Sequence, residues 1–131
     1  MMAMKLIKTS GGNLVKEVDK RVSIIAKACN DKKGFDIKVL NLIKLTPIAD
    51  YFIIVSGNST AQVMAIADEV EEKMVEAGFH PSGKEGYRSG RWILLDYGDI
   101  VVHIFHREDR EFYNLEKLWA DGEELLLSDM F

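Results

Sequence analysis

The sequence predicts a single α/β domain in which a mixed β-sheet of four to five strands is packed by helices. Length is the first reason, because 131 residues make one domain of ordinary size and would leave a second hydrophobic core too small. The second reason is the spacing of apolar residues, which alternates along the chain between the helical period and the strand period. The predicted order is helix, two strands, helix, two strands, helix.

The first helix is predicted to follow an N-cap at Asn13 and to end near Asn30. Its apolar residues recur at the spacing i, i+4, i+7 and i+11, and its other face consists of Lys, Asp and Glu. The apolar residues are Val18, Val22, Ile25 and Cys29. Residues 1–12 carry no such period, and we expect a mobile extension there, ahead of a domain that spans residues 13–122.

Two strands and a second helix are predicted in the middle of the chain. Residues 35–39 alternate between apolar and charged side chains, which is typical of a half-buried strand. Residues 51–55 form an unbroken apolar run, which favours a central strand covered on both faces. Ser59 and Gln62 have the spacing of a capping box that begins a helix, and Gly78 stands where that helix should end.

A loop over residues 80–91 precedes a predicted β-hairpin. The strands of the hairpin are residues 92–96 and 100–105, and Tyr97-Gly98 is the predicted turn. A loop of this length is functional or mobile more often than incidental. Because the turn of a hairpin faces solvent, we expect the side chain of Tyr97 to be exposed.

A third helix is predicted over residues 108–120. Phe112, Leu115 and Trp119 recur within it at i, i+3 and i+7, which predicts a stripe that packs against the core. The remaining residues, 123–131, form an apolar C-terminal tail for which the sequence predicts no position.

The net charge of -4 is distributed unevenly along the chain. Residues 1–44 hold ten basic and four acidic side chains, whereas residues 45–131 hold seven basic and seventeen acidic ones. An acidic protein is unlike a generic nucleic-acid binder, so we expect no direct specific binding of nucleic acid. The acidic part favours a basic partner, and the two parts could also pair between copies in a homodimer.

Cysteine content and hydropathy favour the cytoplasm. Cys29 is the single cysteine, which excludes an internal disulfide and suits a reducing compartment. No apolar run approaches the roughly 20 residues that cross a bilayer, so we expect no membrane partner.

No pattern in the sequence indicates catalysis, a cofactor or a metal ion. Residues 56–59 join a strand to a helix, as in phosphate-binding loops, but neither phosphate-binding motif is present. His103 and His106 should point to opposite faces of a strand. Asp96 and Asp99 could in principle hold magnesium, but Asp is also common in hairpin turns. We therefore predict no catalytic, cofactor or metal residues.

Large aromatic residues near acidic ones indicate a protein contact. Trp92 begins a strand, Tyr97 is placed at the hairpin turn, and Glu85, Asp96 and Asp99 surround them. Aromatic residues with a charged rim are typical of binding hot spots, and an acidic rim favours a basic partner. The alternative is that Trp92 closes the edge of the core and Tyr97 simply lies in a turn. The residues alone leave both interpretations open.

Several sequence segments together resemble one known family. They are DYFIIVSGNS at 50–59, AIAD at 65–68, EG at 85–86, WILLDYGDIVVHIF at 92–105 and REFYNLEKLW at 110–119. In this order they resemble the ribosomal silencing factors, the RsfS or Iojap family. The resemblance extends over residues from about 15 to 120.

The resemblance implies a translation repressor that is not an enzyme. Members of the family bind the large ribosomal subunit through its ribosomal protein number fourteen and block association with the small subunit. The implied contact residues are Trp92 and Tyr97, followed by Asp96, Asp99, Glu85 and His103.

The resemblance also implies a nucleotidyltransferase-like topology without the catalytic site. The alternative function is therefore a nucleotide-binding protein or a nucleotidyltransferase-like enzyme. Such enzymes need paired acids on the strand that follows the Gly-Ser turn, to hold two metal ions. Here the strand after Gly57 begins only near Trp92, and Asp68-Glu69 lies within a predicted helix. The required pattern is absent.

Overall fold

The computed structural model describes residues 7–8, 14–15 and 19–127. Within these residues, six strands form one mixed sheet and two further strands form a short antiparallel pair. The elements are β1 (Ile7–Lys8), β2 (Leu14–Val15), α1 (Lys20–Asp31), β3 (Phe35–Asn41), β4 (Tyr51–Gly57), α2 (Thr60–Glu76), β5 (Gly83–Glu85), β6 (Trp92–Asp96), β7 (Ile100–His106), α3 (Arg107–Tyr113), α4 (Leu115–Leu118) and β8 (Glu123–Leu125).

The strand order of the large sheet is β5-β6-β7-β4-β3-β8. β4 and β7 are parallel, and all other neighbours are antiparallel. The predicted fold class is confirmed, but the described residues contain six strands in this sheet, not four to five. The additional strands, β5 and β8, have three residues each, which is too short for a period of two to be recognised. β8 also gives part of the unplaced tail a position, because Leu125 pairs with Val39.

The first helix begins later than its sequence pattern predicts. α1 starts at Lys20, with Asp19 as its N-cap: Asp19 Oδ1 accepts a hydrogen bond from the Arg21 amide at 2.9 Å. Residues 14–15 form a strand, so the prediction that the helix begins directly after Asn13 was wrong. Asn13 itself and most of the predicted mobile extension lie outside the described residues.

α1 and α2 pack on one face of the sheet and enclose the main core. The alternation of strand side chains sends every second residue of β4, β6 and β7 into this core. The buried residues include Val22, Ile25, Cys29, Ile53, Val55, Val63, Ile66, Val70, Ile93, Leu95, Val102 and Ile104. Burial raises the pKa of the Cys29 thiol to about 12, so this thiol is an inert part of the core, as its place on the apolar stripe predicts.

The second helix begins and ends as predicted. Ser59 Oγ accepts a hydrogen bond from the Gln62 amide at 3.1 Å, and the Gln62 side chain accepts one from the Asn58 amide at 2.6 Å. Gly78 follows the last turn with a φ of 92°, which favours glycine.

α3 and α4 cover part of the other face of the sheet and enclose a smaller core of six residues: Leu40, Leu42, Ala49, Phe52, Ile54 and Phe105. The prediction of a single third helix was wrong, because Asn114 takes a left-handed φ of 46° and separates α3 from α4. This break falls between Phe112 and Leu115, so the predicted stripe is not continuous. Leu115 and Trp119 pack against the smaller core, whereas Phe112 is 81% exposed.

Across the described ranges, no helix combines the length and the apolar character of a membrane-spanning segment.

Candidate functional site

The sheet surface opposite α1 and α2 carries a cluster of aromatic rings, which we call the aromatic face. In β6, Trp92, Leu94 and Asp96 lie on this face, because Ile93 and Leu95 point into the main core. The hairpin register pairs Trp92 with Phe105 and Leu94 with His103. The aromatic face therefore brings together residues from both hairpin strands.

Trp92 is half-buried and its ring is held by three neighbours. Its Nε1 donates a hydrogen bond to Nδ1 of His103 at 3.2 Å. The indole stacks on Phe105 with a centroid distance of 4.8 Å, and the Tyr113 ring lies 4.9 Å away. The indole is thus fixed in one orientation, while part of its surface remains open to a partner.

His103 lies beneath this tryptophan and is 4% exposed. Its ring meets Phe52 edge-on, with the centroids 4.6 Å apart. Burial lowers the pKa of His103 to about 4, so the imidazole is neutral at physiological pH. Because Nδ1 accepts a hydrogen bond, the single proton of the neutral ring must lie on Nε2. Nε2 has no hydrogen-bond partner among the described residues.

Acidic side chains stand at the open edge of the aromatic face. Glu85 pairs with Leu94 across β5 and β6, and Asp96 pairs with Val101 across β6 and β7. Glu85 is exposed, whereas Leu94, Asp96 and Val101 are half-buried. Asp96 Oδ1 also accepts a hydrogen bond from the Gly98 amide at 2.8 Å. The edge is therefore an apolar strip flanked by two carboxylates.

Tyr97 lies on the opposite side of the sheet from Trp92, so the expectation that it faces solvent was wrong. It is 7% exposed and belongs to the main core, and burial raises its pKa to about 12. The turn lies one residue later than predicted, at Gly98-Asp99, because the Tyr97 amide still donates to the Ile100 carbonyl at 2.9 Å. Tyr97 therefore continues the inward alternation of β6.

Asp99 also lies apart from the aromatic face, at the hairpin tip near α1. Its side chain is 71% exposed, and its Oδ2 is 3.8 Å from Nη2 of Arg21. Its carbonyl accepts a hydrogen bond from the Asp50 amide at 2.7 Å, which ties the tip to the start of β4. Of the six predicted contact residues, four share the aromatic face: Glu85, Trp92, Asp96 and His103.

The sequence pattern missed two aromatic residues beside Trp92. Tyr113 touches the indole directly, and the ring of Phe112 meets the Tyr113 ring edge-on at 5.1 Å. The two residues are neighbours on the short helix α3 and are both exposed. Consecutive helical residues point about 100° apart, so Phe112 and Tyr113 cannot both point into the core. Their adjacency in the sequence therefore indicates that at least one of the two rings is exposed.

A polar cavity of about 400 Å³ lies beside the end of β4, near the predicted strand-to-helix turn. Arg110, which is buried, lines it and donates hydrogen bonds to Ser56 Oγ at 2.9 Å and to Glu116 Oε1 at 2.8 Å. Lys38 forms a further ion pair with Glu116 at 3.1 Å. These contacts give the arginine an internal, structural role.

Metal-ligating side chains do not cluster in the part of the chain that the structure describes: no group of three or more His, Cys, Asp or Glu could hold a metal ion there. His103 and His106 point in different directions, as their strand positions predict. His103 faces Trp92, whereas His106 Nδ1 accepts a hydrogen bond from the Glu108 amide at 3.3 Å and caps α3.

Comparison with known proteins gives one consistent answer. Residues 15–130 match the family model described as ribosomal silencing factor during starvation. The ribosomal silencing factor RsfS of Bacillus subtilis is 47% identical over 101 residues, which are 77% of this chain and 86% of that protein. The RsfS of Halalkalibacterium halodurans is 45% identical over 101 residues, again 77% of this chain and 86% of that protein.

Solved structures agree with this match. The crystal structure of a Chromobacterium violaceum protein is similar with a TM-score of 0.77 and 39% identity, over 79% of this chain and 87% of that one. The family match extends to residue 130, beyond the segments that carry the resemblance, and so includes β8. The sequence motifs, the fold and these relatives together establish that this chain belongs to the RsfS family of ribosomal silencing factors.

Proposed function

We propose that this protein represses translation by binding the large ribosomal subunit through its ribosomal protein number fourteen, which prevents association with the small subunit. Membership of a family of silencing factors supports a regulatory role on the ribosome. The observation that carries the proposal is the aromatic face, where an oriented and half-buried Trp92 shares one face of β6 with Leu94 and Asp96. Glu85 lies opposite Leu94 on the neighbouring strand β5.

The geometry of Trp92 suits a binding hot spot. A ring that is already held by His103, Phe105 and Tyr113 loses little conformational freedom when a partner covers it. Tryptophan is also among the residues that contribute most to binding at the centre of interfaces. Most of the retained affinity should therefore come from burial of this ring.

Charge on the aromatic face selects the kind of partner. Glu85 and Asp96 flank the apolar strip of Leu94 and Val101, and a basic ribosomal protein would match that pattern. Complementary charge speeds and orients association more than it raises affinity. In this proposal the acidic part of an acidic chain meets a basic protein and not ribosomal RNA.

Steric occlusion would account for silencing without any reaction catalysed by the protein. A folded domain held on the subunit face of protein number fourteen would fill space that the small subunit needs. The mechanism asks for no catalytic group, cofactor or metal ion, and it places the protein in the cytoplasm with its ribosomes.

Co-sedimentation with purified large subunits tests the proposal. Replacement of a hot-spot tryptophan costs on the order of 2 kcal/mol, so Trp92→Ala should weaken binding about 30-fold. Val75→Ala is the matched control, because Val75 is 47% exposed on α2, on the opposite side of the sheet. Tyr97→Phe should bind like the wild type, since Tyr97 lies in the main core.

The test requires that each variant is folded, which its melting temperature and near-UV circular dichroism report. A folded Trp92→Ala protein that binds large subunits as tightly as the wild type would refute this location of the interface. Binding that survives but no longer inhibits subunit joining would refute occlusion. A melting temperature raised by nucleotide and magnesium would instead favour the nucleotide-binding alternative.

A further inference from the structure

We infer that His103 is a positioning residue, which holds the Trp92 indole in the orientation that docks on the ribosomal protein. This inference rests on the proposed function, because it assigns a role within the same contact surface. It differs from the resemblance, which implies a direct contact for His103.

The hydrogen bond selects one orientation of the indole. Stacking on Phe105 orients the plane of the Trp92 ring, but a stacked ring that is turned over would keep most of that contact. The indole has a single N–H, which lies in the ring plane and points in one direction. Its bond to His103 Nδ1 at 3.2 Å is lost if the ring turns over, so the imidazole distinguishes the two arrangements.

His103 is itself rigidly supported. It lies in the middle of β7, where Ile54 and Leu94 are its register partners on the two sides. Its ring packs against Phe52 at 4.6 Å and lies 6.3 Å from the Phe105 ring. With 4% of its surface exposed, His103 offers a partner almost no surface of its own. Its effect on docking must therefore pass through Trp92.

A purely structural role does not account for the polar ring. Nε2 is buried and makes no hydrogen bond to residues 19–127, so within that range the bond from Trp92 to Nδ1 is the one side-chain hydrogen bond of the imidazole. A residue that only filled this space among aromatic rings could equally be Phe or Leu. The hydrogen bond to Trp92 is the contact in which the imidazole differs from such a residue.

Two substitutions separate the hydrogen bond from the packing. His103→Phe fills the site without an acceptor, whereas His103→Asn keeps an acceptor near the position of Nδ1. Phe52→Leu is the matched control, because it disturbs the packing around His103 but leaves Nδ1 in place. The Trp119→Phe variant identifies which of the two tryptophan indole signals belongs to Trp92.

The first readout is the Trp92 indole N–H in a nitrogen-15 correlation spectrum. In His103→Phe its chemical shift should move, and its exchange with solvent should become at least about ten-fold faster, as expected when a protected hydrogen bond is lost. The second readout is affinity for large subunits, which should fall about ten-fold, the effect of one net hydrogen bond. His103→Asn should restore most of both, and Phe52→Leu should lower the melting temperature without moving the indole signal.

The possible results distinguish this inference from the proposed function. If His103→Phe leaves the indole signal unchanged, or changes it without loss of affinity, the positioning role is wrong. If Trp92→Ala binds like the wild type, the proposed contact site fails, and a docking role for His103 fails with it. If Trp92→Ala weakens binding but His103→Phe does not, the contact site stands and only this inference is overturned.

Discussion

Two residues of the hairpin formed by β6 and β7, one on each face of the sheet, owe their chemistry to burial. His103 is neutral because its surroundings desolvate the imidazole, and burial lowers its pKa from an ordinary 6.5 to about 4. Tyr97 shows the same effect with opposite sign, because a phenol ionises to a negative charge, and its pKa rises to about 12. Both groups therefore stay uncharged over the whole physiological range.

The lowered pKa of His103 predicts a pH-dependent stability. Between pH 6.5 and pH 4 the unfolded chain binds a proton at this residue, but the folded chain does not. The free energy of unfolding should therefore have its full value above pH 6.5 and should fall as the pH decreases towards 4. The total loss should be about 3 kcal/mol for a pKa lowered from 6.5 to about 4. Urea unfolding at several pH values measures this change.

The His103→Phe variant is the control for this titration. Carboxylates also titrate as the pH falls, and they do so equally in both proteins, so the difference between the two curves isolates His103. Parallel curves for the wild type and the variant would show that burial does not shift this histidine.

At the scale of elements, the break between α3 and α4 decides which aromatic residues reach Trp92. α3 ends at Tyr113, whose ring lies 4.9 Å from the Trp92 ring, and α4 begins at Leu115, which packs on the smaller core. In an unbroken helix, Tyr113 and Leu115 would point about 200° apart, so they could not both face the same side of the sheet. The break thus gives the aromatic face its exposed rim, which Phe112 extends.

Asn114 makes this break possible, because it occupies the left-handed region with a φ of 46° and a ψ of 57°. A residue with a Cβ and no compensating polar group pays about 1 kcal/mol or more there. We therefore expect Asn114→Ala to lower the free energy of unfolding by about 1 kcal/mol, and Asn114→Gly to cost nothing. Equal stability of Asn114→Ala and the wild type in urea would contradict a conformational origin of the break.

At the scale of the whole molecule, the two faces of the large sheet differ in what covers them. α1 and α2 contact the sheet on one side and enclose the main core. α3 packs against β7 and β4 on the other side and leaves the β5–β6 edge open, where Glu85 and Leu94 lie. The larger core lies on the first face, and the second carries exposed aromatic and acidic groups.

The homodimer expected from the uneven charge distribution stays a prediction. Lys27, Lys32 and Lys33 are exposed on α1 and just after it, where they could meet the acidic surface of another copy. Light scattering should then show a dimer at low salt that dissociates as salt screens the contact. Lys27→Glu combined with Lys32→Glu should favour the monomer. A wild-type monomer at every protein and salt concentration would remove this hypothesis.

Much of the fold could be predicted from the sequence because its signals are local. The periods of residues 35–39, 51–55 and 92–96 correspond to β3, β4 and β6, and the capping box of Ser59 and Gln62 begins α2. β5 and β8 could not be predicted, since three residues are too few to show a period. The alternation along β6 also implies an inward Tyr97, but only if the turn is placed at Gly98-Asp99.

The sequence by itself determined the fold class and the family and made Trp92 a candidate contact residue, because periodicity and motif are properties of short stretches of chain. Tertiary structure alone decided which predicted contact residues share a face. Trp92 and His103 are eleven positions apart, and only the hairpin register makes them diagonal neighbours joined by a hydrogen bond. A shift of one residue would have reversed the face of each side chain, which is why the proposed contact surface depends on the folded sheet.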